Sequence, residues 1–349
     1  MTARQPRHRR ILTISQWGQR TAAQLRPQLT FTGKTGADYA RWREQFEARY
    51  AEMLGRFPDP VPLRAELLER RRFPTYIREK VIFDSERFMS VPAWVCLPRA
   101  RRRNERCPAV LCCHGHGPGK DGFVGLNPNG KSRMRYDKNL AIRLAERGFV
   151  TIAPDWRGFG ERNEPPETHP APRDLCNVGH LTAEFLGYNL LALDVWDGMK
   201  TIDYLATRPE VDLSRLGCVG VSFGGTMTLF LSAADPRITA ACVSGYLLPT
   251  KEHIFNSCGS QTLPGLLRWG DRAEVGGLIC PRPLLIQMGE YDSSFPPSAA
   301  LPEYRRLARL YRAAGAAGAA GRLGLDLFDG CHEIHAAAIL EWFDRWLKP

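Results

Sequence analysis

The sequence has no long hydrophobic run and no secretory leader pattern. Its 349 residues contain no uninterrupted apolar stretch of about 18 residues, the length that a membrane-spanning helix needs. The basic start, Met1 to Arg10, is not followed by the apolar segment of about 7–15 residues that a secretory signal contains. With 44% hydrophobic residues, the chain is too apolar to stay disordered. We therefore expect a cytoplasmic globular protein with a large core.

The ten cysteines form no C-x-x-C pair and show no spacing typical of zinc ligands. Four of them stand in apolar runs, which is typical of buried thiols in a reducing compartment: Cys112, Cys113, Cys218 and Cys242. Cys176 and Cys258 lie in loop-like segments, where a disulfide between them is an open alternative. The phosphate-binding pattern G-x-x-x-x-G-K-[ST] is also absent. The sequence thus predicts neither a metal nor an organic cofactor.

Acidic residues are fewer than basic residues, 37 against 48, so the formal net charge is +11. Two short segments hold 8 of the 11 excess charges. One is the start of the chain. The other is the arginine-rich segment 99–106 between two strand-like runs, which is typical of a solvated hairpin loop. No basic groove with interleaved aromatic residues accompanies them. We expect no nucleic-acid partner and no membrane partner.

Hydrophobic periodicity predicts the organisation of the chain. Apolar residues spaced three and four apart predict an amphipathic helix at 37–57. From Tyr76 onward, strand-like runs alternate with helical segments, and the later strands are continuously apolar. This order is typical of an α/β fold with a mostly parallel sheet covered by helices on both faces. We predict a tail and helical extension over residues 1–74 and an α/β domain over residues 75–349, with insertions at about 161–187 and 245–277.

The pattern G-x-S-x-G occurs at Gly220–Gly224, where an apolar strand runs into a helix of small residues. A sharp strand-to-helix turn exposes the serine hydroxyl, and glycines two positions on either side let the neighbouring backbone approach closely. The turn also places the serine beside a helix N-terminus, whose free N–H groups suit a developing oxyanion. Ser222 is therefore the candidate nucleophile.

A serine nucleophile needs a base, and the base needs an acid that orients it. His332 follows the last predicted strand, and Asp292 lies at the carboxyl end of the strand before it. His335 is the alternative base and Glu290 the alternative acid. The order Ser222, Asp292, His332 is the order expected for a nucleophile elbow of this kind.

The second requirement of acyl transfer is a pair of N–H groups for the oxyanion. The amide of Phe223, directly after the serine, is the predicted first donor. The glycine-rich turn after an earlier strand predicts the second donor at His116, with Gly117 as the alternate. A metal site at His114 and His116 is disfavoured, because no carboxylates accompany the two histidines in this turn.

Together these motifs resemble the α/β-hydrolases, and more narrowly the bacterial esterases related to dienelactone hydrolases and acetyl xylan esterases. The resemblance spans roughly Tyr76 to Pro349 and implies carboxylester hydrolysis and a pairing of Arg157 with Glu161. Dienelactone hydrolases proper carry cysteine at the elbow, where this chain has Ser222. The motifs are H-G-H-G at His114–Gly117, D-W-R-G-F-G-E-R at Asp155–Arg162, R-P-E-V-D at Arg208–Asp212 and G-V-S-F-G-G at Gly220–Gly225.

These observations predict a serine carboxylester hydrolase that acts on a small-molecule ester and forms an acyl-enzyme. Two alternatives stay open: a peptidase of the prolyl-oligopeptidase type and a non-catalytic binding protein on the same scaffold. The helical extension is a candidate cover for the site entrance or a contact between copies in a homo-oligomer. Four aromatic residues are candidates to line the substrate pocket, although each is also a candidate core residue: Trp156, Tyr246, Phe255 and Trp269.

Overall fold

The computed structural model describes residues 10–102, 104–126, 136–164, 175–254, 257–315 and 321–348. The described chain forms a nine-stranded sheet of β1 (Glu66–Arg72), β2 (Tyr76–Glu86), β3 (Met89–Pro98), β4 (Cys107–Cys113), β5 (Val150–Pro154), β6 (Val211–Val221), β7 (Ala240–Ser244), β8 (Leu284–Gly289) and β9 (Leu323–Phe328). Its helices are α1 (Ile14–Gln24), α2 (Gly36–Leu54), α3 (Leu140–Glu146), α4 (Leu175–Phe185), α5 (Leu190–Ala206), α6 (Phe223–Ala234), α7 (Thr250–His253), α8 (Leu266–Trp269), α9 (Arg272–Ile279), α10 (Pro297–Ala313) and α11 (Ala336–Leu347). Within these ranges, no helix combines the length and hydrophobicity that crossing a membrane requires. The basic tail before Arg10 lies outside the described residues.

The strands follow the order β1-β2-β3-β5-β4-β6-β7-β8-β9. Neighbours from β1 to β5 pair antiparallel, and neighbours from β5 through β4 to β9 pair parallel. The predicted α/β class with a mostly parallel sheet is therefore confirmed. The sheet begins with β1, which lies within the segment that the sequence assigns to the extension. The carboxyl ends of β4, β6, β8 and β9 meet at one edge of the sheet, where ligands bind in folds of this class.

The arginine-rich segment 99–106 does not form the predicted hairpin. It joins β3 to β4, and β5 lies between these two strands in the sheet. β5 pairs antiparallel with β3 through Ala153 and Trp94, and parallel with β4 through Ile152 and Leu111. The segment is therefore a crossover between non-neighbouring strands. Its described side chains are mostly exposed, as expected for a run of like charges.

Both faces of the sheet are covered by helices, because successive side chains of a buried strand point to opposite faces. In β4, Leu111 and Cys113 belong to the core that includes residues of α5, α6, α9 and α10. Val110 and Cys112 belong to the core formed with α3 and α11. The four apolar-run cysteines are buried as predicted.

Helix α2 packs on the body of the protein, against α9 and α10. Its first turn is fixed by a capping box between Thr35 and Asp38. Its aromatic stripe belongs to the core shared with α9 and α10. The Tyr39 hydroxyl lies 2.8 Å from the carbonyl oxygen of Cys280, at the end of α9. The helix predicted at 37–57 is confirmed, and it ends at Leu54 because Gly55 adopts a positive φ of 73°.

Candidate active site

Ser222 lies on the sharp turn between β6 and α6. Its backbone has φ 61° and ψ −123°, a conformation that costs free energy for a residue with a side chain. A Cβ at Gly220 would collide with the Gly224 carbonyl, and a Cβ at Gly224 would collide with the Cys113 carbonyl. The glycines of the motif are therefore required by close backbone contacts, and the turn presents Ser222 at the carboxyl edge of the sheet.

Asp292 and His332 meet at this edge from the ends of β8 and β9. His332 Nδ1 lies 2.7 Å from Asp292 Oδ2. The backbone N–H groups of Ser294 and Phe295 donate to Asp292 Oδ1 at 2.8 and 2.9 Å. Burial opposes ionisation of Asp292, but the hydrogen bonds from His332 and the backbone outweigh it and lower its pKa. The carboxylate is thus held charged beside the imidazole.

Ser222 and His332 line the same pocket, whose volume is about 480 Å³. The phenyl ring of Phe295 stacks on the His332 imidazole, with ring centroids 5.4 Å apart and an angle of 14° between the planes. The structure therefore brings the predicted nucleophile and base to one cavity, with the acid directly behind the base. The other described residues of the lining are His116, His253, Cys258, Gln261, Ser293 and Ser294.

The two alternative residues have other surroundings. Glu290 is exposed and is not among the described residues that line the pocket. His335 pairs with a different carboxylate, since its Nδ1 lies 2.9 Å from Asp326 Oδ2, and it stands at the start of α11. This geometry favours Asp292 over Glu290 and His332 over His335.

The loop after β4 brings His116 to the pocket, opposite the start of α6. The Tyr136 hydroxyl donates to the His116 carbonyl at 2.8 Å and holds the loop. Within the described chain, no backbone carbonyl accepts the N–H of His116 or the N–H of Phe223. Neither amide is therefore occupied by a described backbone carbonyl, as an oxyanion donor requires. Gly117 is exposed and is not part of the described pocket lining.

His114 supports the same loop from inside the protein. Its Nε2 accepts the Trp156 N–H at 3.1 Å, so the ring proton lies on Nδ1, which is 2.8 Å from the Gly115 carbonyl oxygen. Burial lowers the pKa of His114 to about 4 and keeps the ring neutral. His114 is thus a fixed structural link between the loop that carries His116 and the segment after β5.

The predicted pairing of Arg157 with Glu161 is wrong. The Arg157 guanidinium forms two bonds of 2.9 Å with Asp197 of α5 and one of 2.6 Å with Glu86. Glu161 instead contacts Lys120 and lies 2.7 Å from Lys80 Nζ. Side chains four residues apart are neighbours on a helix. Here the chain turns after β5 and sends the two side chains to different neighbours.

The aromatic residues predicted to line the substrate pocket do not do so where the structure describes them. Trp156 and Tyr246 are fully buried in the core. Trp269 is half-buried, with the guanidinium of Arg49 stacked 4.6 Å from its ring centroid. None of the three is among the described residues that line the Ser222 pocket. Phe255 lies outside the described residues.

The imidazole of His116 and the thiol of Cys258 also line the pocket. His116 Nε2 is 3.1 Å from Cys258 Sγ. Hydrogen bonding with Cys176 and His116 outweighs burial and lowers the pKa of the Cys258 thiol to about 4. Cys176 and Cys258 are both thiols in this structure, so the disulfide that the sequence left open is not formed.

Two further pocket residues have no sequence pattern that identifies them. Phe295 follows Asp292 in a turn of unremarkable composition. His253 accepts a hydrogen bond from Arg272 Nη2 at 3.1 Å, and burial together with this neighbouring charge lowers the pKa of His253 to about 4. Their spacing from the motif residues is not periodic, so only the folded chain reveals them.

The mostly parallel sheet, the serine on its strand-to-helix turn and the Asp–His pair at the same edge define an α/β-hydrolase. The chain belongs to the Abhydrolase family, whose sequence profile matches residues 7–295. The resemblance drawn from the motifs is therefore confirmed at the level of the family. The matched range includes Ser222 and Asp292 and ends before His332.

Similar proteins include hydrolases and esterases. The provisionally named hydrolase YtaP of Bacillus subtilis (strain 168) is 26% identical over 270 residues, which are 74% of this chain and 84% of the relative. A Bacteroides fragilis NCTC 9343 protein, provisionally named an acetyl xylan esterase, has a TM-score of 0.75 at 18% identity, covering 91% of this chain and 83% of that chain. The acetyl xylan esterase from Paenibacillus sp. R4 has a TM-score of 0.61 at 19% identity, covering 96% of this chain and 100% of the other. At these identities the structural likeness establishes the shared fold.

Proposed function

We propose that this protein is a serine hydrolase that cleaves small acyl esters through an acyl-enzyme on Ser222. The observation that carries the proposal is the 2.7 Å contact between His332 Nδ1 and Asp292 Oδ2 in the pocket that Ser222 lines. An imidazole held by a carboxylate has its other ring nitrogen free to accept a proton from a serine hydroxyl. The occurrence of esterases among the similar folds supports an ester as the scissile bond.

In the first half of the reaction, His332 Nε2 accepts the Ser222 hydroxyl proton while the serine oxygen bonds to the ester carbonyl carbon. The carbonyl oxygen becomes an oxyanion and accepts hydrogen bonds from the Phe223 and His116 amides. Collapse of this intermediate breaks the bond to the alcohol oxygen, which takes the proton from His332. The Asp292 carboxylate stabilises the transient imidazolium.

In the second half, water replaces the alcohol. His332 accepts a proton from water, whose oxygen bonds to the acyl carbon, and a second oxyanion forms. Its collapse breaks the bond to Ser222, and the serine oxygen takes the proton back. The products are a carboxylic acid, an alcohol and free enzyme, so no redox cofactor takes part in this sequence.

The pocket suits a short acyl group and a polar alcohol. Its volume of about 480 Å³ is at the low end of the range for small-molecule sites. Ser293, Ser294 and Gln261 contribute hydroxyl and amide groups to the lining, and such groups recognise hydroxyl-rich alcohols such as sugars. We therefore propose acetyl or other small acyl esters as the substrate class.

The deciding experiment compares p-nitrophenyl acetate with a proline p-nitroanilide, using wild-type protein and Ser222→Ala. We expect hydrolysis of the ester, little cleavage of the anilide and loss of ester hydrolysis in the variant. Preferred cleavage of the anilide would support the peptidase alternative. A fluorophosphonate that fails to label Ser222 would support the non-catalytic alternative. A panel of acyl esters and acetylated sugars then ranks the substrates.

A further inference from the structure

Three metal-binding side chains from separate segments converge beside the Ser222 pocket. His116 comes from the loop after β4, Cys176 from α4 and Cys258 from the loop before the short 3₁₀ helix Gly259–Gln261. A ring nitrogen of His116 and the sulfur atoms of both cysteines all lie within 4.8 Å of one another. No other trio of histidine, cysteine or carboxylate side chains in the described ranges comes this close together.

The spacing suits a tetrahedral ion. With Zn–S near 2.3 Å and Zn–N near 2.0–2.1 Å, tetrahedral angles place the ligand atoms about 3.5–3.8 Å apart. The distance of 3.1 Å between His116 Nε2 and Cys258 Sγ is slightly shorter than this range. The other distances among the three ligand atoms are no longer than 4.8 Å, a value that exceeds the range by about 1 Å. Small side-chain rotations would therefore bring all three donors to the required distances.

Backbone contacts hold the two cysteines together. Gly259 N–H donates to Asn177 Oδ1 at 2.8 Å, which ties the loop of Cys258 to the first turn of α4. A Cβ at Gly259 would collide with the His180 side chain and would lie 2.8 Å from the Cys176 carbonyl oxygen. The glycine thus permits α4 and the loop to approach closely. Because Cys176 is also buried, with 7% of its surface exposed, the cluster is held by packing.

The donor set selects the class of metal. Thiolate and imidazole ligands favour zinc and other soft or borderline ions, whereas calcium and magnesium require oxygen ligands. Two thiolates and a neutral imidazole would also balance the charge of a divalent cation. Ser260 Oγ lies 3.2 Å from Cys258 Sγ, where it can orient the sulfur as an outer hydrogen-bond partner.

We propose that His116, Cys176 and Cys258 bind a zinc ion at the wall of the active-site pocket. Because His116 and Cys258 line that pocket, the fourth coordination position faces the space beside Ser222. One consequence rests on the proposed function. The ion would tether the loop that supplies the second oxyanion donor and would occupy part of the substrate space, so zinc would inhibit ester hydrolysis.

The binding test uses full-length protein that has been reduced, treated with a chelator and desalted without oxygen. Zinc is titrated against a chromogenic chelator, and cobalt serves as a spectroscopic probe of thiolate ligation. We expect one zinc ion per chain and a thiolate-to-cobalt charge-transfer band. Cys176→Ser and Cys258→Ser should each weaken zinc binding roughly tenfold or more. Circular dichroism and the melting temperature without metal identify any variant that fails to fold.

Two matched variants sharpen this test. Cys331→Ser removes an exposed thiol outside the cluster and should bind zinc like the wild type. Gly259→Ala keeps all three donors but forces α4 away from the loop, so it should weaken binding. Unchanged affinity in both cluster cysteine variants would overturn the proposal. A linked Cys176–Cys258 peptide recovered from protein that was never reduced, with no metal binding after reduction, would identify a redox pair and overturn it as well.

The activity test is separate from the binding test. In wild-type protein, the zinc concentration that halves ester hydrolysis should match the dissociation constant from the titration. Cys176→Ser should remove this inhibition. Binding without inhibition would overturn the consequence for catalysis and leave the metal site standing. Absence of ester hydrolysis without metal would overturn the proposed function, while the titration would still decide the metal site.

Discussion

Two groups of side chains, one at the Ser222 pocket and one buried between α5 and the turn after β5, differ in their exposure to solvent. The proposed catalytic edge consists of Ser222, Asp292 and His332, and the His332 side chain is 27% exposed. The buried network consists of Arg157, Arg162 and Asp197, and the Asp197 side chain is fully buried. Burial opposes ionisation of Asp197, but the charges of Arg157 and Arg162 outweigh it and lower its pKa to about 2.

This difference in solvent exposure suits the two groups to different roles, one in catalysis and one in stability. A partly exposed imidazole can be reached by substrate and water, which general base catalysis requires. A fully buried carboxylate shared by two guanidinium groups cannot lose its charge without removing a counter-charge from both of them. The catalytic edge should therefore control rate, and the buried network should control stability. The following predictions test that division, beginning with the largest effect.

Ser222→Ala should abolish nearly all ester hydrolysis, because it removes the atom that bonds to the acyl carbon. The substitution removes a single oxygen, and the alanine must adopt the same backbone turn as the serine, so the melting temperature should stay close to that of the wild type. Turnover of p-nitrophenyl acetate and thermal unfolding measure the two quantities. Retained turnover would show that another residue is the nucleophile.

Asp292→Asn should reduce turnover by roughly 10⁴-fold, because an amide N–H at this position favours the wrong tautomer of His332. Steady-state kinetics on the same ester gives the comparison. If the loss is small, the carboxylate that orients the base lies elsewhere.

Asp197→Asn should lower the free energy of unfolding by about 3–5 kcal/mol, because it removes the buried carboxylate that Arg157 and Arg162 share and leaves only Glu86 to pair with Arg157. Folded enzyme should keep most of its turnover at low temperature. Chemical denaturation measures the stability, and turnover per folded molecule measures the rate. A turnover loss as large as that of Asp292→Asn, at unchanged stability, would contradict the division between the two groups.

His114 should make the protein less stable as the pH falls from about 6.5 to about 4. Its pKa is about 4 in the folded protein, against an ordinary value of 6.5, so the unfolded chain binds a proton in this range that the folded protein does not. The loss should be complete below pH 4 and amount to roughly 1–3 kcal/mol. His114→Gln should flatten this part of the curve, measured by denaturation at each pH. An equally steep curve in the variant would show that other groups, such as His253, are responsible.

Glu290→Gln should have the smallest effect, a change in turnover of less than about twofold, because Glu290 is exposed and does not contact His332. It is the matched control for Asp292→Asn, since both substitutions replace a carboxylate near the end of β8 by an amide. If the two effects were reversed, Glu290 would be the orienting acid.

The sequence was sufficient for the features that depend on local structure. The elbow at Ser222 follows from glycines at fixed spacing between an apolar strand and a small-residue helix. Asp292 and His332 follow from the rule that reactive groups gather at the carboxyl ends of parallel strands. Helix α2 follows from its apolar period. Each of these features is a short-range sequence pattern. Its position follows from the class of fold alone, without knowledge of the side-chain packing.

The errors concern side-chain partners. Arg157 was expected to pair with Glu161, four residues away, but it pairs with Asp197, which lies in another helix. Trp156 and Tyr246 were expected in the pocket, but a large apolar side chain near a site is equally suited to the core below it. The arginine-rich segment joins strands that β5 separates, because strand order is decided by packing across the whole sheet.

By itself, the sequence determined the class of fold, the strand-to-helix turn at Ser222 and the chain order of the candidate triad, because backbone sterics and hydrophobic periodicity act over a few residues. Only the tertiary structure decided which carboxylate meets Arg157, which aromatic ring covers His332, and that Cys176 meets Cys258 beside His116. These contacts join residues far apart in the chain. Such distances depend on the packing of whole elements, which no local pattern encodes.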